Sequence, residues 1–228
     1  MRIYKNCVEA QDEILRDLVE MGINVQPHSM QDKIVKDDES YATKELQGYN
    51  YAIKNFKDIS KLENLNLAWA SAELMERINP RYVNPGEAWR IRSEVWTEFM
   101  HEGKFAYTYN NRIRTQLYPI IEELKKHPYT RQAIINIHNN IMDINNLGGV
   151  SRVPCSIIYN FIYREDKLDI HYIMRSCDFI THWANDVYLA IELLKYVAAV
   201  TGLPVGKFVH FISSLHIYKR DCEGKNIF

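Results

Sequence analysis

The chain has 228 residues, 46% of them hydrophobic, with 28 basic against 29 acidic side chains and a net charge of −1. That is enough chain for one sizeable domain with a closed core. The balanced charge excludes a global basic field that would draw the protein onto nucleic acid or a membrane surface, so partners are expected at a local site. No apolar run approaches the ~20 residues needed to span a bilayer. The opening Met1-Arg2-Ile3-Tyr4-Lys5-Asn6 has no signal-peptide core, and a cytoplasmic location is expected. The cysteines Cys7, Cys155, Cys177 and Cys222 form no CxxC pair or Cys/His cluster. Free thiols and no metal site follow.

In chain order, Val8, Ile14, Leu15, Leu18, Val19 and Met21 predict an amphipathic helix over 8–21 that Gly22 stops. Gln26 to Ser40 is polar and aperiodic, a loop. Residues 41–56 and 62–78 have a helical pattern, the second ended by Asn79-Pro80. Between Arg81 and Gly103 the pattern is irregular, and 113–126 is a further helix closed by Lys125, Lys126, His127 and Pro128. The texture then changes. Ala133 to His138, Ser156 to Tyr163, Leu168 to Met174 and Lys207 to Ser213 are rich in β-branched and aromatic residues, hence strands. Glu165-Asp166-Lys167 supplies a hairpin turn between two of them. Asn185 to Val200 is the strongest helix, apolar on most faces and so buried, ending at Gly202-Leu203-Pro204. No repeat or linker interrupts the chain. The expectation is a single α+β domain over 1–228, a mainly antiparallel sheet packed with helices around a buried central helix.

Several residues have the chemistry of a site, each with a plainer alternative. Cys155 opens a strand behind Arg152-Val153-Pro154; cationic Arg152 and, across a hairpin, Arg175 would favour its thiolate, while most free cysteines are only packing residues. Arg175 and Ser176 offer a planar donor fork and a hydroxyl to a phosphate, or are merely an exposed pair. His216 and Tyr218, two apart on a strand, share a face and could hold a sugar hydroxyl or simply meet water. Asp186 could read a base, or only favour the N-terminus of its helix.

Read together, Pro154-Cys155-Ser-Ile-Ile-Tyr-Asn-Phe, then Arg175-Ser176-Cys177-Asp178, Asn185-Asp186 and His216-Ile-Tyr218 resemble the nucleotide-binding half of the thymidylate synthase superfamily, nearest its cytidylate-hydroxymethylating branch. The resemblance is specific over the last third of the chain and implies a role for each residue. Cys155 would be the nucleophile, with Cys177 structural. Arg175 and Ser176 would hold the phosphate and His216 with Tyr218 the 3′-hydroxyl. Asp178 would hydrogen-bond the pterin within the substrate set. Arg131, in His127-Pro128-Tyr129-Thr130-Arg131-Gln132, would reach the phosphate across a homodimer interface, although Gln132 replaces the second arginine of the family's pair. Glu45 resembles the family's helix glutamate that organises water, Trp96 the tryptophan flanking the folate, and Tyr109 the active-site tyrosine, although Asn110 stands where a glycine is expected.

Where the superfamily has an asparagine for uracil, this chain has Asp186. A carboxylate can accept from the exocyclic amine of cytosine, a proton can be shared with N3, and O4 of uracil would meet repulsion. The resemblance therefore implies 5-hydroxymethylation of dCMP or CMP. The donor would be 5,10-methylenetetrahydrofolate, with Cys155 adding to C6 and water, handled by Glu45, adding last. Ten residues follow Tyr218, fewer than in thymidylate synthases, which implies a less sealed site that admits this water. The alternatives are methylation of dUMP, or a nucleotide-binding relative without catalysis.

Overall fold

The structure, a computed structural model, describes residues 1–222. The chain opens with β1 (Arg2–Tyr4), α1 (Cys7–Met21), β2 (Ile23–Val25), a small hairpin of β3 (Ser29–Met30) and β4 (Lys33–Ile34), and the long β5 (Thr43–Ile53). Helix α2 (Leu67–Arg77), a short α3 (Ser93–Trp96), a second small hairpin of β6 (Met100–His101) and β7 (Lys104–Phe105), and α4 (Tyr109–Lys126) follow. The last part is β8 (Ile134–Asn136), β9 (Ser156–Arg164), β10 (Lys167–Asp178), α5 (Ala184–Thr201) and β11 (Val205–Tyr218).

One sheet organises the molecule, in the order β1-β5-β11-β10-β9-β8, with β2 also paired to β5. It is mixed. β9 and β10 form an antiparallel hairpin closed by Glu165 and Asp166, both with positive φ (50° and 55°), a two-residue turn whose twist suits the strands. β10 and β11 run parallel, because α5 carries the chain back across the sheet before it re-enters. Helix α5 is the core: Val187, Ala190, Ile191, Leu194 and Val197 are fully buried. It packs against β10, β11, α2 and α4. Each large aliphatic side chain removed from water there contributes about 1.5–3 kcal/mol. Gly202, at φ 74°, ends the helix in the left-handed conformation that a side chain disfavours.

The domain is α+β with a buried central helix, as the pattern predicts, but residues 41–56 are not a helix. Thr43–Ile53 of that stretch form β5, flanked by β11 on one edge and by β1 and β2 on the other. Lys44, Glu45, Leu46 and Gln47 favour a helix locally; the run Tyr49-Asn50-Tyr51-Ala52-Ile53 overrides them by pairing on both edges, with Tyr51, Ala52 and Ile53 wholly buried. The helix expected over 62–78 begins only at Leu67, where the Asn66 side chain accepts from Trp69 N. Helix α4 begins earlier than expected, at Tyr109 behind Thr108 as its cap, and β11 extends five residues past Ser213. The expectation of a less sealed site concerns the segment after Tyr218, and 223–228 of that segment lie outside the described residues.

Candidate active site

The C-terminal ends of β10 and β11, the entry to β9 and the first turn of α5 form one wall of a cleft of about 390 Å³, within the range of small-molecule sites. The opposite wall comes from α2, α3 and the residues leading into α4, and the β3–β4 hairpin overhangs one side. Cys155 and Asp186, some thirty residues apart in sequence, face the same cleft.

Cys155 is half-buried just before β9. Arg175 on β10 fixes it from the neighbouring strand. The Arg175 backbone N–H donates to Cys155 O at 2.9 Å, and its side chain donates to the carbonyls of Pro154 (3.0 Å) and Val153 (2.9 Å). Its Nη2 also lies 3.9 Å from the sulfur, and Gln31 Nε2, from the β3–β4 turn, 3.7 Å. The arginine fork is therefore partly committed to holding the cysteine loop. Nη1 makes no hydrogen bond among the described residues, and both Arg175 and Ser176 line the cleft. Arg152 does not reach the sulfur in the same way. It is buried among four rings, its guanidinium carbon 4.8 Å from the centroid of Phe99, 5.1 Å from Trp96, 5.2 Å from Tyr107 and 5.9 Å from Phe105.

The floor is built by register. β10 and β11 align Ser176 with Ser214 and Asp178 with His216, so that these side chains share a face. His216 and Tyr218 both line the cleft, their rings 4.9 Å apart, and burial pushes the imidazole pKa down so that it is neutral. Asp178 Oδ1 accepts from Thr181 N at 3.0 Å, while Oδ2 makes no hydrogen bond among the described residues; Asp178 and Trp96 both line the cleft.

Glu45 requires correction. It sits on strand β5 opposite His216, not on a helix, and its Oε2 accepts from Ser214 Oγ at 2.6 Å. Ser214 Oγ lies 3.3 Å from His216 Nδ1. Glu45 supports the imidazole through Ser214 and does not line the cleft. Arg131 is exposed between α4 and β8 and is likewise not part of the cleft of its own chain.

Asp186 projects from the first turn of α5 with no hydrogen bond or ion pair among the described residues. Desolvation pushes its carboxyl up to about 7, opposed by Arg77 and Arg92 and reinforced by Asp178 and Glu73. The preceding Asn185 is structural. Its side chain accepts from Asn66 N (3.0 Å) and donates to Asn64 O (3.2 Å), docking the start of α2 against α5. Tyr109 opens α4, its hydroxyl 3.0 Å from Ser156 Oγ, which in turn bonds Tyr172 OH. Burial raises its pKa well above that of a free phenol, so it keeps its proton.

Three contributors lie outside the sequence expectations. Gln31 approaches the sulfur from a stretch read as featureless loop. Arg77 lies with its guanidinium 3.8 Å from the Tyr109 ring, and Glu73, one turn earlier on α2, pairs with it at 2.8 Å. Glu73, Glu76 and Arg77 also line an annex of about 60 Å³ that shares Trp69, Tyr109 and Arg152 with the main cleft and has room for a few waters. The i, i+4 spacing of Glu73 and Arg77 was a visible signal; that this face of α2 turns inward was not. Among the described residues no His, Cys, Asp and Glu side chains gather to hold a metal ion, and no helix is long and apolar enough to cross a membrane.

Comparison with known proteins agrees with this architecture. Residues 3–226 match the family described as "Thymidylate synthase". A "Putative thymidylate synthase" of Methanococcoides burtonii is 33% identical over 125 residues, covering 52% of this chain and 56% of the relative. A "Deoxyuridylate hydroxymethyltransferase" of Bacillus phage SP01 is 33% identical over 113 residues, covering 48% of this chain and 29% of the relative. The alignment with the archaeal relative thus spans about half of its length. The crystal structure of thymidylate synthase from T4 phage superposes with a TM-score of 0.72 at 21% identity, covering 94% of this chain and 78% of that one, a likeness of fold.

Proposed function

The chain belongs to the thymidylate synthase family, and from that premise we propose that it transfers a one-carbon unit to C5 of a pyrimidine nucleotide, with a cytosine nucleotide as acceptor and hydroxymethylation as the outcome. The observation that carries the reading is Asp186, an acid with a pKa of about 7 opening into the cleft that holds the Cys155 thiol.

Addition of the Cys155 thiolate to C6 breaks the C5–C6 π bond and moves its electrons toward N3. In cytosine N3 is a basic ring nitrogen that lacks a proton, and an acid titrating near neutrality is matched to supply one. Uracil already carries a proton at N3 and gathers the charge on a weakly basic carbonyl oxygen, for which the acid is less well suited. Neutral Asp186 also presents a donor to N3 and an acceptor to the exocyclic amine, the complement of cytosine's edge. Arg175 Nη1 and Ser176 would take the phosphate, with Arg131 of a second subunit in a homodimer, and His216 and Tyr218 the 3′-hydroxyl.

The chain has the surfaces a folate needs. Trp69 and Trp96 stack with centroids 5.8 Å apart beside the opening, and Asp178 Oδ2 is free to accept from a pterin amine. When bound, 5,10-methylenetetrahydrofolate supplies a carbon at the oxidation level of formaldehyde. The final water is assigned to the annex beside Glu73, in place of Glu45, because the annex adjoins the cleft and Glu45 does not.

Methylation of deoxyuridylate is the second reading, and the archaeal relative's name favours it. Incubation with methylenetetrahydrofolate and each of CMP, dCMP and dUMP decides the matter by product mass. Gain of CH2O on a cytosine nucleotide is the expected result, and gain of CH2 on dUMP alone would overturn it.

A further inference from the structure

Resting on the reading of Cys155 as the nucleophile, we propose that Gln31, at the tip of the β3–β4 hairpin, donates a hydrogen bond to the thiolate form of that residue. The hairpin then supplies one of two donors that activate the sulfur, the other being Arg175.

The contact joins parts of the chain 124 residues apart. Gln31 Nε2 lies 3.7 Å from Cys155 Sγ, within reach for a donor to sulfur, and Arg175 Nη2 lies 3.9 Å from it. The other end of the same amide, Gln31 Oε1, is buried with no partner among the described residues. A buried acceptor left without a donor is costly, so the side chain is not seated to satisfy itself. What its amide meets is the sulfur.

The backbone points the same way. Met30 pairs with Lys33, which leaves Gln31 and Asp32 as a two-residue turn with Gln31 at φ 56°. Glycine is favoured at such a position, and a larger residue is held there at a conformational cost. The turn is fastened to the helical wall: Lys33 pairs with Glu98, and Asp32 Oδ2 lies 3.5 Å from His101 Nε2. Behind it, Gln26 Nε2 donates to Val35 O at 2.8 Å. The plain alternative is a tight turn whose side chain merely overhangs the cleft. Such a turn would gain from glycine and lose nothing at the sulfur.

The other groups around the sulfur do not change with Gln31. Tyr107, Tyr109 on α4, Cys177 on β10 and Tyr218 on β11 line the same cleft, and burial raises the pKa of each, so they stay protonated. Arg152, Asp178 and Asp186 also line it. Their fields act alike on the parent and on any variant at position 31, and cancel in a comparison between them.

Iodoacetamide reacts with the thiolate, and Cys155 is the half-buried cysteine while Cys7, Cys177 and Cys222 are buried. In the nucleotide-free protein, the alkylation rate at pH 7 divided by the limiting rate at alkaline pH measures the share of thiolate, and the division removes any change in access. Gln31→Leu, which keeps the bulk, should lower this ratio by about 3- to 10-fold. Gln31→Gly should lower it as far while the thermal midpoint holds or rises, because glycine relieves the turn. A ratio that keeps the parent's value in either variant overturns the proposal. So does a thermal midpoint that falls in Gln31→Gly, the mark of a structural strut. Gln31→Gly decides the matter even if Gln31→Leu does not fold. Because the readout needs no substrate, the expected ratios in a protein whose Cys155→Ala variant still exchanges C5 hydrogen would retire the nucleophile and leave the hydrogen bond standing.

Discussion

The two walls of the cleft are built on different principles. The sheet wall, from Cys155 to Tyr218, places its side chains by strand register. Ser176, Asp178, His216 and Tyr218 follow from which residues pair and which face they share, and the backbone ladder leaves little freedom. The helical wall, from α2 to the start of α4, places buried arginines among rings. Arg77 lies on Tyr109, Arg92 on Trp69 and Arg152 among Trp96, Phe99, Phe105 and Tyr107, and of these three only Arg77 has an ion-pair partner among the described residues. One wall fixes positions and the other fixes charge. The pyrimidine would be gripped by the first and tuned by the second.

Three changes probe this division. The largest effect is expected from Cys155→Ala, which removes the proposed nucleophile from the sheet wall. Exchange of nucleotide C5 hydrogen into water should fall by about 10⁴-fold or more, while equilibrium dialysis still detects the nucleotide bound. Retained exchange would mean that the sheet wall does no covalent chemistry.

Asp186→Asn comes next and sharpens the comparison, because it neutralises the group on which the helical wall acts. Preference should move from cytosine toward uracil nucleotides by about 10- to 100-fold in kcat/KM. Stability gives a second reading of the same residue. A carboxyl raised to about 7 in the folded protein takes up protons more readily than the same group unfolded, so its unfavourable contribution is absent below about pH 4 and complete above pH 7. The variant should therefore be more stable than its parent at pH 8, on the order of 4 kcal/mol in urea denaturation, and equal to it at pH 4. A pH-independent difference would separate Asp186 from the charges around it.

The smallest effect belongs to Glu45→Gln. Glu45 reaches the site through Ser214 and His216, so nucleotide KM should rise by less than about tenfold with kcat nearly unchanged. A collapse of kcat would return Glu45 to the chemistry.

Most of the sheet wall was legible in the sequence because register is local. Pro154-Cys155, Arg175 to Asp178 and His216 to Tyr218 stand at strand ends, and period-two alternation predicts which of them share a face. The sequence misled at 41–56, where four helix-favouring residues lie within a strand that is held by pairing on both edges, and Glu45 went with them. The helical wall was mostly illegible. Arg77 and Arg152 look like surface cations in a list of residues; only the closing of aromatic rings around them makes them interior.

The cleft also bears on how the protein comes into being. Its lining runs from Ser29 to Asp221, joining strand edges, a hairpin and four helices from almost the whole chain. No fragment can assemble it early, and chains dominated by such distant pairings fold slowly. The thiol acquires its full setting only when these distant elements have come together, and its reaction with an alkylating reagent during refolding should report that event.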